Sequence, residues 1–226
     1  MKSSILLVHG AWHSGSGFNL LQSELTKIGI ASKTVELSSV AKSGETIGDM
    51  YKDAEIVREA AASLEDCMVL GHSYGGLPIT QGLVGLSNVQ KLIYLTAFML
   101  DEGETLYAAC GSQDPAWWQR TSDNLRLTPN TPEEIFYNTC SPDLAKSATA
   151  ILRQQSLESF NQPITKVSWK EIDSTYIICE KDKAIPVFAQ EAMAARAKKV
   201  VRIDTDHSPF LSAPQRLARL ISDEIN

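Results

Sequence analysis

A serine, an aspartate and a histidine, in that chain order, are the residues here whose types and spacing could do chemistry. Gly71-His72-Ser73-Tyr74-Gly75 matches the pattern G-x-S-x-G. It follows the apolar run Cys67-Met68-Val69-Leu70 and precedes a helix read from Tyr74 to about Leu86. A buried strand, a sharp bend and a helix are the setting in which this spacing makes a nucleophile. The bend strains the serine backbone, and side chains two residues to either side would collide with the turning chain. The hydroxyl is lifted above the strand ends, and the N-terminus of the following helix favours negative charge there. The plainer alternative is a small-residue turn that only packs a helix on a strand; the flanking elements favour the nucleophile.

A serine needs a base. The chain has four histidines, His9, His13, His72 and His207. His72 adjoins the serine, so its side chain should point away from that of Ser73. His207, in Asp204-Thr205-Asp206-His207-Ser208-Pro209, comes last, where the order serine, acid, histidine puts the base. Its neutral imidazole would take the serine proton and return it to the leaving group. The acid should follow the strand Tyr176 to Cys179. Asp182 is favoured there, to hold the imidazole tautomer and stabilise the imidazolium. Glu180 is the runner-up, with Asp173, Asp206 and Asp101 behind it.

The loop Val8-His9-Gly10-Ala11-Trp12-His13 closes the first apolar run. A backbone N–H from such a loop, with the N–H after the serine, would hold an oxyanion. Ala11 and Tyr74 are assigned that role, and Gly10 is expected to keep space for substrate. His9 and His13, beside a glycine turn, are expected to orient the loop. Phe98, Met99, Leu106, Tyr107, Trp117, Trp118 and Phe136 are candidates for a pocket ceiling. For Trp117 and Trp118, packing is weighed equally with substrate contact, since adjacent helical residues cannot both face one site.

Such a site needs elements to carry it. Ile5 to Val8, Ala31 to Leu37, Cys67 to Leu70, Leu92 to Leu95, Tyr176 to Cys179 and Val200 to Ile203 read as six short strands, most of them apolar. Helical patterns fall between them. These are Phe18 to Ile28 (Leu20, Leu21, Leu25 and Ile28 on one face), Thr46 to Leu64, Pro186 to Ala197, and about Ala213 to Ile225, capped by Ser212. Alternation of this kind implies an α/β fold with a doubly wound, mostly parallel six-stranded sheet in one domain, 1–226. It breaks at about 101–170, a polar stretch with five prolines and no convincing strand. That stretch reads as a helical insertion over the ligand-binding edge of the sheet.

Composition narrows the rest. With 226 residues, 43% hydrophobic and 21% charged, the chain can bury a core without staples. A formal charge of −6 argues against nucleic acid as a partner. Cys67, Cys110, Cys140 and Cys179 form no C-x-x-C pair, so they read as free thiols. Met1-Lys2-Ser3 leads into a run too short for a signal peptide or a membrane span, which places the protein in the cytoplasm. Acyl transfer through Ser73 needs neither metal nor cofactor.

Together, His9-Gly10-Ala11-Trp12-His13, Gly71-His72-Ser73-Tyr74-Gly75-Gly76, Glu180-Lys181-Asp182-Lys183-Ala184-Ile185-Pro186 and Asp206-His207-Ser208-Pro209-Phe210-Leu211-Ser212 resemble the small α/β-hydrolases related to plant methylesterases and hydroxynitrile lyases. The resemblance covers nearly the whole chain and is weakest across the insertion. It implies a six-stranded core without a leading hairpin, a small helical cap and a homodimer. It also implies a small-molecule ester substrate. Lyase members that resemble this chain carry threonine where Gly10 stands and lysine where Ser208 stands, so a serine carboxylesterase of small methyl or aryl esters is expected. Gly17-Phe18 stands where the family often has Gly-Trp. Two rivals are a hydroxynitrile-lyase-type carbon–carbon lyase and a ligand-binding receptor that retains the triad.

Overall fold

The computed structural model describes residues 4–225. Met1, Lys2 and Ser3, read as leading straight into the first strand, lie outside the described residues, as does Asn226. The first half of the chain runs β1 (Ser4–Val8), α1 (Asn19–Lys27), β2 (Ala31–Thr34), β3 (Val40–Ala41), α2 (Met50–Ala62), β4 (Cys67–His72), α3 (Gly76–Gly82) and β5 (Val89–Leu95). Then come α4 (Leu106–Ala109), β6 (Trp118–Arg120), β7 (Arg126–Pro129), α5 (Pro132–Phe136), α6 (Pro142–Thr149), β8 (Gln154–Ser156) and α7 (Glu158–Asn161). The chain ends with β9 (Ser174–Cys179), α8 (Val187–Ala194), β10 (Lys199–Ile203), α9 (Pro209–Ser212) and α10 (Pro214–Ser222).

Six strands make one parallel sheet in the order β10-β9-β5-β4-β1-β2. Because side chains alternate across a strand, each apolar run feeds two cores. Ile5, Leu7, Met68 and Leu70 face α1 and α10, packing on Leu21, Leu25, Leu217 and Ile221. Leu6, Val8 and Val69 face the other way, toward Val57 of α2, Leu77 of α3 and Met193 of α8. Full burial of each such side chain contributes roughly 1.5–3 kcal/mol. The strand order reverses between β1 and β4, where Val8 pairs with Gly71. A parallel sheet opens a crevice at such a switch point, beyond the C-terminal strand ends.

Several expectations are corrected. The α1 periodicity holds for Leu21 and Leu25, but Leu20 and Ile28 are 42% and 46% exposed, because only the stripe against α10 is covered. The α2 helix starts at Met50, where Asp49 accepts the Lys52 N–H at 2.9 Å, rather than at Thr46. Ser212 does not cap the last helix: it ends α9, and its hydroxyl donates to Asp206 Oδ1 at 2.7 Å.

The 101–170 stretch is mixed rather than helical. β6, β7 and β8 join β3 in an antiparallel sheet of order β3-β8-β7-β6. Strands of three or four residues are too short to show a period of two, and β3, the fourth member, comes from outside the stretch. Among the described residues, no helix is long and apolar enough to cross a membrane. All four cysteines are free.

Candidate active site

β4 is buried throughout and delivers Ser73 at the switch point. Ser73 has φ 52°, in the left-handed region. A side chain there is strained, and the surrounding packing must hold it. The flanking glycines are sterically required. A Cβ at Gly71 would lie 2.6 Å from the Gly75 carbonyl oxygen, and one at Gly75 would lie 2.6 Å from that of Val8. The Phe98 N–H donates to the Ser73 carbonyl at 3.1 Å, tying the bend to the loop after β5.

Asp182 sits just past β9, buried, with every carboxylate lone pair region engaged. Oδ1 accepts the N–H groups of Ala184 (2.7 Å) and Ile185 (3.0 Å). Oδ2 accepts the Thr96 hydroxyl at 2.5 Å and His207 Nδ1–H at 2.7 Å. Those four donors offset the cost of burying a carboxylate. The bond to Asp182 places the His207 proton on Nδ1 and leaves Nε2 as an acceptor. The rival acids stand elsewhere. Glu180 pairs with Arg202, Asp173 with Lys198 and Asp101 with Lys170. Asp206 accepts from Thr139 N–H, Ser208 N–H and the Ser212 hydroxyl, so it braces the loop that carries His207.

The other three histidines are buried and each is committed by its bonds. His9 Nδ1–H donates to the Gly10 carbonyl (2.9 Å), and Nε2 accepts the Leu37 N–H (3.1 Å). His13 Nδ1–H donates to the Ala11 carbonyl (2.7 Å), and Nε2 accepts the Tyr137 hydroxyl (2.9 Å). His72 Nε2–H donates to the His207 carbonyl at 2.9 Å. Burial lowers the affinity of all three for a second proton, that of His13 to about 3. They brace the loops around the site as neutral rings.

Ser73 and His207 line one cavity, with Ala11, Tyr74 and Trp12 beside them. Among the described residues, neither the Ala11 nor the Tyr74 N–H is used in the loop and turn hydrogen bonds. The opposite wall is aromatic: Trp117, Trp118, Phe136 and Phe160 face Trp12, whose ring centroid lies 5.5–6.2 Å from theirs. Phe98 and Leu106 complete the lining from the expected set, whereas Met99 and Tyr107 do not reach it. Both tryptophans reach the cavity because they are not helical; Trp118 opens β6.

Gly10 is corrected. It does not line the cavity, and a Cβ there would lie 2.9 Å from both His72 Nδ1 and Ser73 Cβ. Its missing side chain makes room for the nucleophile and its neighbour rather than for substrate. Phe18 likewise forms no pocket wall; it packs on Phe210, centroids 4.9 Å apart, under the sheet. Thr96, Trp12 and Phe160 had no assigned role in the sequence. Thr96 lies at the end of β5 with φ 37°, and no spacing marks it. Trp12, with φ 64°, stood in the loop expected to hold an oxyanion and signalled only by its size. Among the described residues, no group of three or more His, Cys, Asp or Glu side chains could hold a metal ion.

A family model described as "Alpha/beta hydrolase family" matches residues 5–220. The chain belongs to the alpha/beta hydrolase family. Within that family it stands with the small methylesterase-like members. It is 31% identical to alpha/beta hydrolase nvfD of Aspergillus novofumigatus, over 98% of this chain and 96% of that protein. It is 24% identical to methylesterase 1 of Arabidopsis thaliana, over 96% of this chain and 94% of that one. A pyrethroid hydrolase from Sphingobium faniae JZ-2 superposes with a TM-score of 0.85 at 24% identity, covering 98% and 96% of the two chains. The last likeness speaks for the fold of this alpha/beta hydrolase.

Proposed function

We propose that this alpha/beta hydrolase is a serine carboxylesterase that acts on small-molecule esters through an acyl-enzyme. One observation carries the reading: the strained Ser73 and the Asp182-bound His207 meet in the same cavity. Ser73 Oγ attacks the ester carbonyl carbon while His207 Nε2 takes the hydroxyl proton. The N–H groups of Ala11 and Tyr74 receive the oxyanion, each such donor being worth roughly 2.7–4 kcal/mol at the transition state. The imidazolium, stabilised by Asp182, protonates the departing alkoxide. Water then enters, gives its proton to His207 and attacks the acyl carbon, and Ser73 leaves with that proton.

Names of relatives support the ester bond as the target: methylesterase 1, and a carbendazim hydrolyzing esterase from Nocardioides that is 30% identical over 47% of this chain. Cyanide chemistry has no support, since Ser208 offers no cation beside His207 and the crowding at Gly10 leaves no room for a threonine. Four free thiols suit a reducing, cytoplasmic setting. A homodimer is part of the proposal, and light scattering tests it: a single-chain mass would remove it.

Ser73→Ala tests the assignment. It should lower kcat for phenyl acetate by roughly a million-fold, with an unchanged circular dichroism spectrum. A fluorophosphonate should label wild type at Ser73 alone. Full activity in the variant, or labelling at another residue, removes the nucleophile and the proposal with it.

A further inference from the structure

The catalytic chamber is small, with about 360 Å³ of empty space, its opening included. It is not isolated. A second cavity adjoins it, sharing Phe98, Cys110, Pro115, Trp117, Ala184 and Ile185 as common walls. This outer cleft has about 1770 Å³ of empty space, its open mouth included. It lies between α4 and α8, and its room comes from short side chains on both: Ala108 and Ala109 on one wall, Ala189 and Ala192 on the other. Phe188 stands on its rim, 75% exposed. One exposed phenyl ring means little alone. Here it stands over an apolar cleft that adjoins the site.

Most charges at the cleft are already spent. Arg196 gives Nη1 and Nη2 to both Glu104 oxygens (2.6 and 2.7 Å) and Nη1 also to the Met99 carbonyl. Asp114 takes a two-pronged contact from Arg120 at 2.6 and 2.8 Å. Lys183 is exposed and free to extend into water. Nothing in the cleft is arranged as a converging polar cage.

We infer that the substrate is an asymmetric neutral ester, one half a few carbons in size and held in the aromatic chamber, the other half bulky, apolar and uncharged, seated in the α4–α8 cleft. This rests on Ser73 as the nucleophile. The cleft then supplies binding energy remote from the reacting atoms, which is where an enzyme gains selectivity for a large substrate.

The test plugs the cleft without touching the chemistry. Ala189→Trp and Ala192→Trp each add bulk on partly or fully exposed positions of α8, so folding is not at stake. Phenyl acetate and pyrenyl acetate are the paired probes. Either variant should raise KM for pyrenyl acetate by about tenfold or more while phenyl acetate turnover stays within about twofold of wild type. Phe188→Ala should weaken pyrenyl acetate in the same selective way. A trisulfonated pyrenyl acetate should be a poor substrate of wild type. Equal losses on both neutral esters, no loss on either, or efficient turnover of the sulfonated ester would each overturn the inference. A failure of the parent reading looks different: phenyl acetate turnover would survive Ser73→Ala.

Discussion

Replacing Asp182 with asparagine should abolish catalysis while leaving the protein folded, and the bonds around the carboxylate say why. Oδ1 faces two backbone N–H groups, from Ala184 and Ile185, which cannot turn away. An asparagine must therefore put its single carbonyl oxygen there. Its NH₂ then occupies the place of Oδ2, between Thr96 and His207. The Thr96 hydroxyl can rotate and accept. His207 Nδ1 can accept only if it gives up its proton, which moves to Nε2. An imidazole protonated at Nε2 cannot receive the Ser73 proton. The wrong tautomer costs about ten-thousand-fold in kcat in an enzyme of this design, near 5.5 kcal/mol. Since each buried polar group keeps a partner, unfolding free energy should change by no more than about 1 kcal/mol. Initial rates with phenyl acetate and a urea titration of the same preparation separate the two effects. A variant that keeps a tenth of wild-type kcat with unchanged stability would show that Asp182 does not set the tautomer.

Thr96→Val removes one donor from the same carboxylate and leaves three; it should lower kcat by about tenfold and stability by roughly 1.5–3 kcal/mol, and wild-type values for both would remove Thr96 from the site. Tyr74→Phe deletes the hydroxyl that donates to buried Asp53 Oδ2 at 2.7 Å, and urea melts should show a loss of roughly 1–3 kcal/mol; no loss would mean the bond is replaced. Acid should destabilise the fold early. His9, His13 and His72 have folded pKa values lowered from 6.5 by burial, so the unfolded chain binds protons that the native state refuses. Their contribution is complete above 6.5 and is lost as pH falls below it, at up to about 1.4 kcal/mol per pH unit for each histidine. Asp53, whose carboxyl is raised above 3.8 chiefly by burial, opposes one of them only near its own titration. A urea midpoint that stays flat between about pH 7 and about pH 5 would contradict this. Finally, Gly10→Thr combined with Ser208→Lys should lose esterase activity without gaining cyanide release from cyanohydrins, because the new Cβ lies 2.9 Å from Ser73 Cβ.

The residues proposed for catalysis could be picked out in the sequence because local sterics leave local marks. Gly71 and Gly75 are glycine because carbonyl oxygens 2.6 Å away forbid anything larger, and that constraint is written in five consecutive residues. Asp182 and His207 were legible because each follows a short strand end that the apolar pattern already located. Thr96 was not, since its partner is 86 residues away and nothing near it in sequence requires a hydroxyl. The same holds for β6, β7 and β8: the sheet they form is anchored to β3 through β8 alone, a tertiary event, and strands of three or four residues carry no period of their own. The helical face of α1 was half right for a related reason. Periodicity shows which residues share a stripe, while α10 decides how much of it is covered.

The floor of the chamber, Ser73, His207, Ala11 and Tyr74, is built by strand ends of the parallel sheet, where geometry is fixed by ladder hydrogen bonds. The ceiling, Trp117, Trp118, Phe136 and Phe160, hangs from the 101–170 stretch, where short elements take their positions from contacts with one another. Trp12 joins the two: it belongs to the loop after β1, its Nε1–H donates to the Leu127 carbonyl in β7 at 2.9 Å, and its carbonyl accepts the Arg153 N–H at 2.8 Å. A change in the ceiling that shifts Trp12 therefore reaches the Ala11 N–H one residue away. Under the proposed mechanism that ring links selectivity to oxyanion stabilisation, so substitutions at Leu127 or Phe160 should move kcat as well as KM, whereas the cleft-plugging changes on α8 should move KM alone.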